Sequence, residues 1–157
     1  MDSLPALLEV YPDARFVMMH RDITQVIPSV VSLLDATSEF LRAGPLAPDF
    51  ATNQAAYWER ALRRTLAYRD AGNDDRFFDI GFTEMRPDPI PAIERLYAWL
   101  DVELTDEVAT RMRDWWAANP ADKYGTHDYR PEQYGIDLDA LAAQFAFYND
   151  RFAPRAT

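Results

Sequence analysis

Apolar residues fall in short blocks separated by proline, glycine and acidic turns. Residues 2–10 set Leu4, Leu7, Leu8 and Val10 at helical spacing, and Tyr11-Pro12-Asp13 closes that segment. Residues 14–20, Ala-Arg-Phe-Val-Met-Met-His, form a near-continuous apolar run of strand length, as in a buried parallel strand. Asp22 then caps a helix, with Gln25 three residues on as in a capping box. Its apolar side is Ile23, Val26, Ile27, Val30, Val31 and Leu34. Residues 42–48 read as a loop. From about 51 to 71 a long amphipathic helix is expected. Trp58, Leu62, Thr65, Leu66 and Arg69 share one side of it, and Glu59, Arg60, Arg63 and Arg64 lie largely on the other.

The second half repeats the alternation. Residues 76–82 read as a second strand, and Asp88-Pro89 opens a helix whose core side is Ile93, Leu96, Tyr97 and Leu100. Thr105-Asp106-Glu107 starts another, with Val108, Met112, Trp115 and Trp116 expected inside; it stops at Asn119-Pro120. Residues 123–135 are polar and aromatic-rich. Asp137 caps a last helix with Leu138, Leu141, Phe145 and Tyr148 or Phe152 inward. Strands alternating with helices predict an α/β fold with a parallel sheet covered by helices. Two parallel strands are too few for a normal core. Either a strand is hidden in the pattern or part of the fold lies outside these residues.

Composition narrows the function. The 157 residues carry 48% hydrophobic side chains, which predicts one globular domain and not a disordered chain. With no cysteine there is no disulfide scaffold, thiol nucleophile or Cys-ligated metal. The His, Asp and Glu residues show no metal-site spacing, so no metal is expected. A net charge of −10 argues against nucleic acid as a partner, because polyphosphate affinity needs a basic footprint. A small anion in a local pocket remains compatible with it. No apolar run reaches the length of a membrane helix. The N-terminus lacks a basic n-region and an apolar h-region, so no signal peptide is read there and a cytoplasmic location is expected. Of the 16 basic residues, only Lys123 is a lysine. Arginine forks suit bidentate grips on phosphate or sulfate, although a coding bias toward Arg and Ala is the simpler explanation of the skew.

The local pattern with most chemistry is a strand, then His20-Arg21-Asp22, then a helix, then Ser29. Ligands of open α/β sheets sit at the carboxyl ends of strands, where Arg21 would stand. The helix that follows is expected to add unpaired N–H groups and a positive dipole end. Ser29, about two turns into that helix, could donate to the same anion; Pro28 loosens the helix beside it. Arg21 could equally pair with a carboxylate, and Ser29 could bond back to Gln25. His20 reads as a hydrogen-bonded strand-end group or a cleft residue, and His127 as a candidate ligand contact.

The ordered set of motifs resembles the sulfotransferase family that uses 3′-phosphoadenosine-5′-phosphosulfate (PAPS), in its bacterial-type branch. Tyr11-Pro12-Asp13-Ala14-Arg15-Phe16-Val17 followed by His20-Arg21-Asp22 and Ser29 is similar to the family's "P-D-A-R-F-V-x-x-x-R-D" strand and its serine, with Ile23 where a proline is usual. Residues 78–85 with Asp88-Pro89 resemble the "Y-E-D-L…D-P" turn, Phe82 standing at the tyrosine. Residues 93–104 resemble the helix leading to "F-L-G-L", with Asp101 in the glycine's place. Residues 123–136, with His127, Tyr129, Tyr134 and Gly135, resemble the "H-x-Y…G-L" segment.

The resemblance implies that Arg21 and Ser29 bind the 3′-phosphate of PAPS, that Phe82 contacts the adenosine, and that Lys123 approaches the phosphates. The reaction implied is transfer of a sulfuryl group to an acceptor hydroxyl or amine, with the acceptor undefined. No Gly-x-[Ser/Thr]-Gly phosphate loop occurs, and the first glycine is Gly44. The family's catalytic base also precedes the region that matches. Residues 1–157 are therefore expected to be a single sulfotransferase-like domain corresponding to the C-terminal part of a three-layer, P-loop-like α/β/α fold, with a short parallel sheet, many helices and little activity alone. The alternative is a non-catalytic fold remnant or interaction module that self-associates through an uncovered sheet edge. A P-loop kinase relative is excluded by the lack of any Gly-x-x-x-x-Gly-Lys loop.

Overall fold

The computed structural model describes residues 4–41 (main chain alone for 38–41), 46–120, 123 and 128–152. The elements run α1 (Leu4–Val10), β1 (Phe16–His20), α2 (Ile23–Leu41), α3 (Phe50–Tyr68), β2 (Phe77–Gly81), α4 (Ile90–Leu100), α5 (Asp106–Ala118), α6 (Leu138–Gln144) and α7 (Ala146–Phe152). Single turns of tighter helix lie at Phe82–Met85 and Pro131–Tyr134. β1 and β2 are parallel neighbours, paired from Phe16 with Phe77 to His20 with Gly81. Both strand ends expected from the sequence are trimmed: Ala14 and Arg15 precede β1, and Phe82 leaves β2 to open a helical turn.

The pairing sorts the sheet into two faces. Phe16, Met18 and His20 share a face with Phe77, Asp79 and Gly81, and the rings of Phe16 and Phe77 stack at 5.0 Å. Beyond it lies the main core, built from Ile23, Ile27 and Val31 of α2, Ala51, Ala55 and Leu62 of α3, and Leu141, Phe145 and Tyr148 of the last two helices. The other face carries Val17, Met19, Phe78 and Ile80. Phe78 packs on Trp99 of α4, with ring centroids 5.5 Å apart. Val17 and Met19 stay 49% and 55% exposed, and among the described residues β1 has no strand on its far edge.

Three local expectations are corrected. The last helix is two helices. It breaks at Phe145 (φ −105°, ψ 14°), a fully buried residue; the bend brings Leu141, Phe145 and Tyr148 inward together. Trp115 lies on the apolar stripe of α5 yet is 63% exposed, because that stripe faces a cavity and not a closed core. Gln25 does not complete a capping box with Asp22; its side chain accepts from Arg21 Nε at 3.0 Å.

Asp101 ends α4 in the left-handed conformation, with φ +58°. That position favours glycine, because a Cβ there crowds the following carbonyl. Asp101→Gly is therefore expected to stabilise the chain by about 0.5–1 kcal/mol. Thermal melts should show a rise of about 1–4 °C.

Candidate anion-binding site

The strand register places the site. His20 pairs with Gly81, so Arg21 and Phe82 are the next residues at the carboxyl ends of adjacent parallel strands. The Arg21 guanidinium lies over the Phe82 ring, with Cζ 4.5 Å from the centroid, and Arg86 approaches the same ring at 5.2 Å. Two cations near one ring repel each other, and an anion between them relieves that repulsion. Arg21 Nε is committed to Gln25, while its two terminal nitrogens have no acceptor among the described residues. This is a fork held at its stem by a glutamine and an aromatic face, with its tines open. The Gly81 N–H donates to Glu84 Oε1 at 2.7 Å, and a Cβ at Gly81 would sit 2.8 Å from that oxygen, so a larger residue there would push the Glu84 carboxylate aside.

Gln25 and Ser29, four residues apart, share one stripe of α2, and Arg21, just before the helix, is tied to the first of them. The Tyr129 hydroxyl donates to the Gln25 carbonyl at 3.2 Å and brings the 128–130 segment onto that stripe. Ser29 is partly exposed there. The expected free N–H groups of α2 are already used. Asn149 Oδ1 accepts from Ile23 N–H at 3.3 Å, Asp22 Oδ1 from Thr24 N–H at 2.9 Å, and the Asp22 carbonyl from Gln25 N–H at 3.0 Å. The Asp22 carboxylate also sits at that end. Any anion gripped here is held by side chains, not by the helix terminus. Lys123 is elsewhere: its ammonium donates to the Ala118 carbonyl at 3.2 Å and to Asn119 Oδ1 at 2.9 Å, closing the end of α5. His127 lies outside the described residues.

Beneath Arg21 runs a buried polar chain that the sequence reading left unassembled. His20 is 1% exposed and stacks on Phe152 at 4.2 Å; it is a structural histidine. Its Nδ1 lies 2.7 Å from the Tyr148 hydroxyl and its Nε2 2.7 Å from Asp79 Oδ1. Arg69, 2% exposed, donates to both Asp79 oxygens at 2.8 and 2.6 Å and to Asp74 at 2.6 Å. Burial alone would push the Asp79 carboxyl up, but the hydrogen bonds from Arg69 and His20 outweigh it and hold it well below the usual carboxylate range. Burial, reinforced by the Asp79 charge, pushes the Tyr148 phenol up to about 12. The hydroxyl therefore keeps its proton beside Nδ1, and because the Asp79 carboxylate can only accept, His20 Nε2 carries a proton toward it. The one sequence signal for this chain was Arg69 on the buried side of α3, since a buried arginine requires a carboxylate.

Among the described residues no group of three or more potential ligands could hold a metal, and no helix is long and apolar enough to cross a membrane. The family model described as the sulfotransferase family matches residues 1–106. None of the curated proteins matches the chain. Among solved structures, sulfotransferase STF9 from Mycobacterium avium superimposes with a TM-score of 0.78 at 32% identity, over 96% of this chain and 39% of that one. The chain thus spans less than half the length of that relative. With its family model matched over two thirds of the residues and its fold shared at this level of identity, the chain belongs to the sulfotransferase family.

Proposed function

We propose that this chain carries the 3′-phosphate side of a PAPS site, within a protein that transfers a sulfuryl group to an acceptor hydroxyl or amine. The observation that carries the reading is the open Arg21 fork, held by Gln25 and Phe82 on the stripe that includes Ser29. Arg21 supplies the bidentate, charge-assisted contact and Ser29 a hydroxyl. Phe82 offers an aromatic surface for the adenosine, on whatever part of the ring the two guanidiniums leave open. Lys123 joins the phosphates only by exchanging Ala118 and Asn119 for them. Calorimetry with 3′-phosphoadenosine-5′-phosphate should give weak binding, reduced at least tenfold in Arg21→Ala by loss of a charge-assisted contact. Equal heats from the two proteins would remove the reading.

The exposed Val17 and Met19 favour a second reading, self-association along β1, since an uncovered apolar strand edge templates pairing. Sedimentation at micromolar concentration should show oligomers, and a Val17→Lys/Met19→Lys double variant should shift them to monomer. A monodisperse wild-type monomer would count against this reading.

A further inference from the structure

An open pocket of about 500 Å³ lies between α4 and α5, lined also by Met85 from the turn after β2. Val108, Arg111, Met112 and Trp115 recur at helical spacing along α5 and face Ile93 of α4 across it. This is the stripe that the sequence pattern assigns to a core, yet it lines an open pocket and leaves Trp115 largely in solvent. The two methionines give the wall adaptable, polarisable side chains. The indole N–H of Trp116 is used by the Pro87 carbonyl at 3.1 Å.

The polar inventory of the cavity is correspondingly short. Arg111 is the one charged residue lining it, and among the described residues it has no ion pair or hydrogen-bond acceptor. Its neighbours differ: Arg113 approaches Asp88 at 3.9 Å, and Arg95 pairs with Glu84. An unmatched guanidinium beside an apolar pocket selects locally for an anionic group attached to an apolar body. A wholly apolar ligand leaves the cation unmatched, and a wholly polar one leaves the Ile93, Val108 and Met112 wall dry. The volume lies in the range of small-molecule sites, which favours a small amphiphile over a protein partner.

We propose that this cavity binds a single-chain fatty carboxylate, its chain against Ile93, Val108 and Met112 and its head group on Arg111. The site is independent of the nucleotide reading. Octanoate, decanoate and dodecanoate, each kept below its micelle threshold, are titrated into the full chain at neutral pH. Tryptophan emission is the readout, and Trp115→Phe identifies the responding indole. Affinity should rise about fourfold for each added methylene, the increment expected for burying one CH₂. Arg111→Gln should weaken dodecanoate about tenfold while leaving dodecanol unchanged, since only the carboxylate uses the cation. Val108→Trp, or Ile93→Phe if the first variant does not fold, should fill the cavity and abolish binding. Affinity independent of chain length, equal loss of acid and alcohol in Arg111→Gln, or wild-type binding in a folded filled variant would each overturn the proposal. So would the absence of any dodecanoate binding.

Discussion

Asp79→Ala is expected to destabilise the protein by about 3 kcal/mol, the low end of the range for breaking a buried ion pair. The low end applies because the Asp79 side chain is 35% exposed, so water screens part of the pair. Arg69 and His20 lose an acceptor at once. Arg69 stays buried with Asp74 as its remaining partner, and His20 Nε2 loses its acceptor. Thermal denaturation should fall by about 6–12 °C for a chain of this size. A double variant, Arg69→Met/Asp79→Leu, should recover much of the loss by removing the orphaned charge along with its partner. The same network sets an acid limit. Asp79 is held below its ordinary value of 3.8 in the folded state, so the unfolded chain takes up that proton first. Its contribution is complete above about pH 4 to 5 and drains away as pH falls from there toward the folded value. Asp79→Asn should flatten that part of a stability profile measured by urea titration. An unchanged acid slope would sink the assignment.

Phe145→Ala should cost about 3–5 kcal/mol, because a fully buried aromatic leaves a cavity that the helices around it fill only in part. Phe145 sits at the break between α6 and α7 and packs in the cluster that includes Ile27 and Leu62. Its loss also loosens α7, which carries Tyr148 to His20 and Asn149 to the start of α2. Hydrogen exchange should therefore rise at Ile23 and Thr24 as well as around residue 145. Phe145→Leu, which keeps most of the volume, should recover more than half of the stability. A Phe145→Ala protein as stable as wild type would show that this bend is not where the core is locked.

Much of this fold is legible in the chain itself. Both strands, their parallel order and the caps at Asp22, Thr105 and Asp137 follow from alternating blocks and punctuation. Arg21 and Phe82 are each visible as strand-end residues, but their contact is fixed by register, which no local pattern encodes. The break at Phe145 is hidden because inward residues at 141, 145 and 148 satisfy one continuous helix equally well. Trp115 misleads for a related reason: periodicity marks an apolar face without saying what it meets. The occupied start of α2 was invisible because Asn149, whose amide fills it, stands 126 residues away.

That distance orders events during synthesis. β1 and the head of α2 are synthesised well before the amide and hydroxyl that fasten them, since Asn149 and Tyr148 are translated 126 to 128 residues later. At usual elongation rates of about 5–20 residues per second, the earlier segment waits roughly 6–25 s for its clasp. During that interval Ile27 lacks the helices that complete its cluster, and the nascent chain is a natural client for holding factors. Closure around β1 and the head of α2 thus waits for the synthesis of the last two helices.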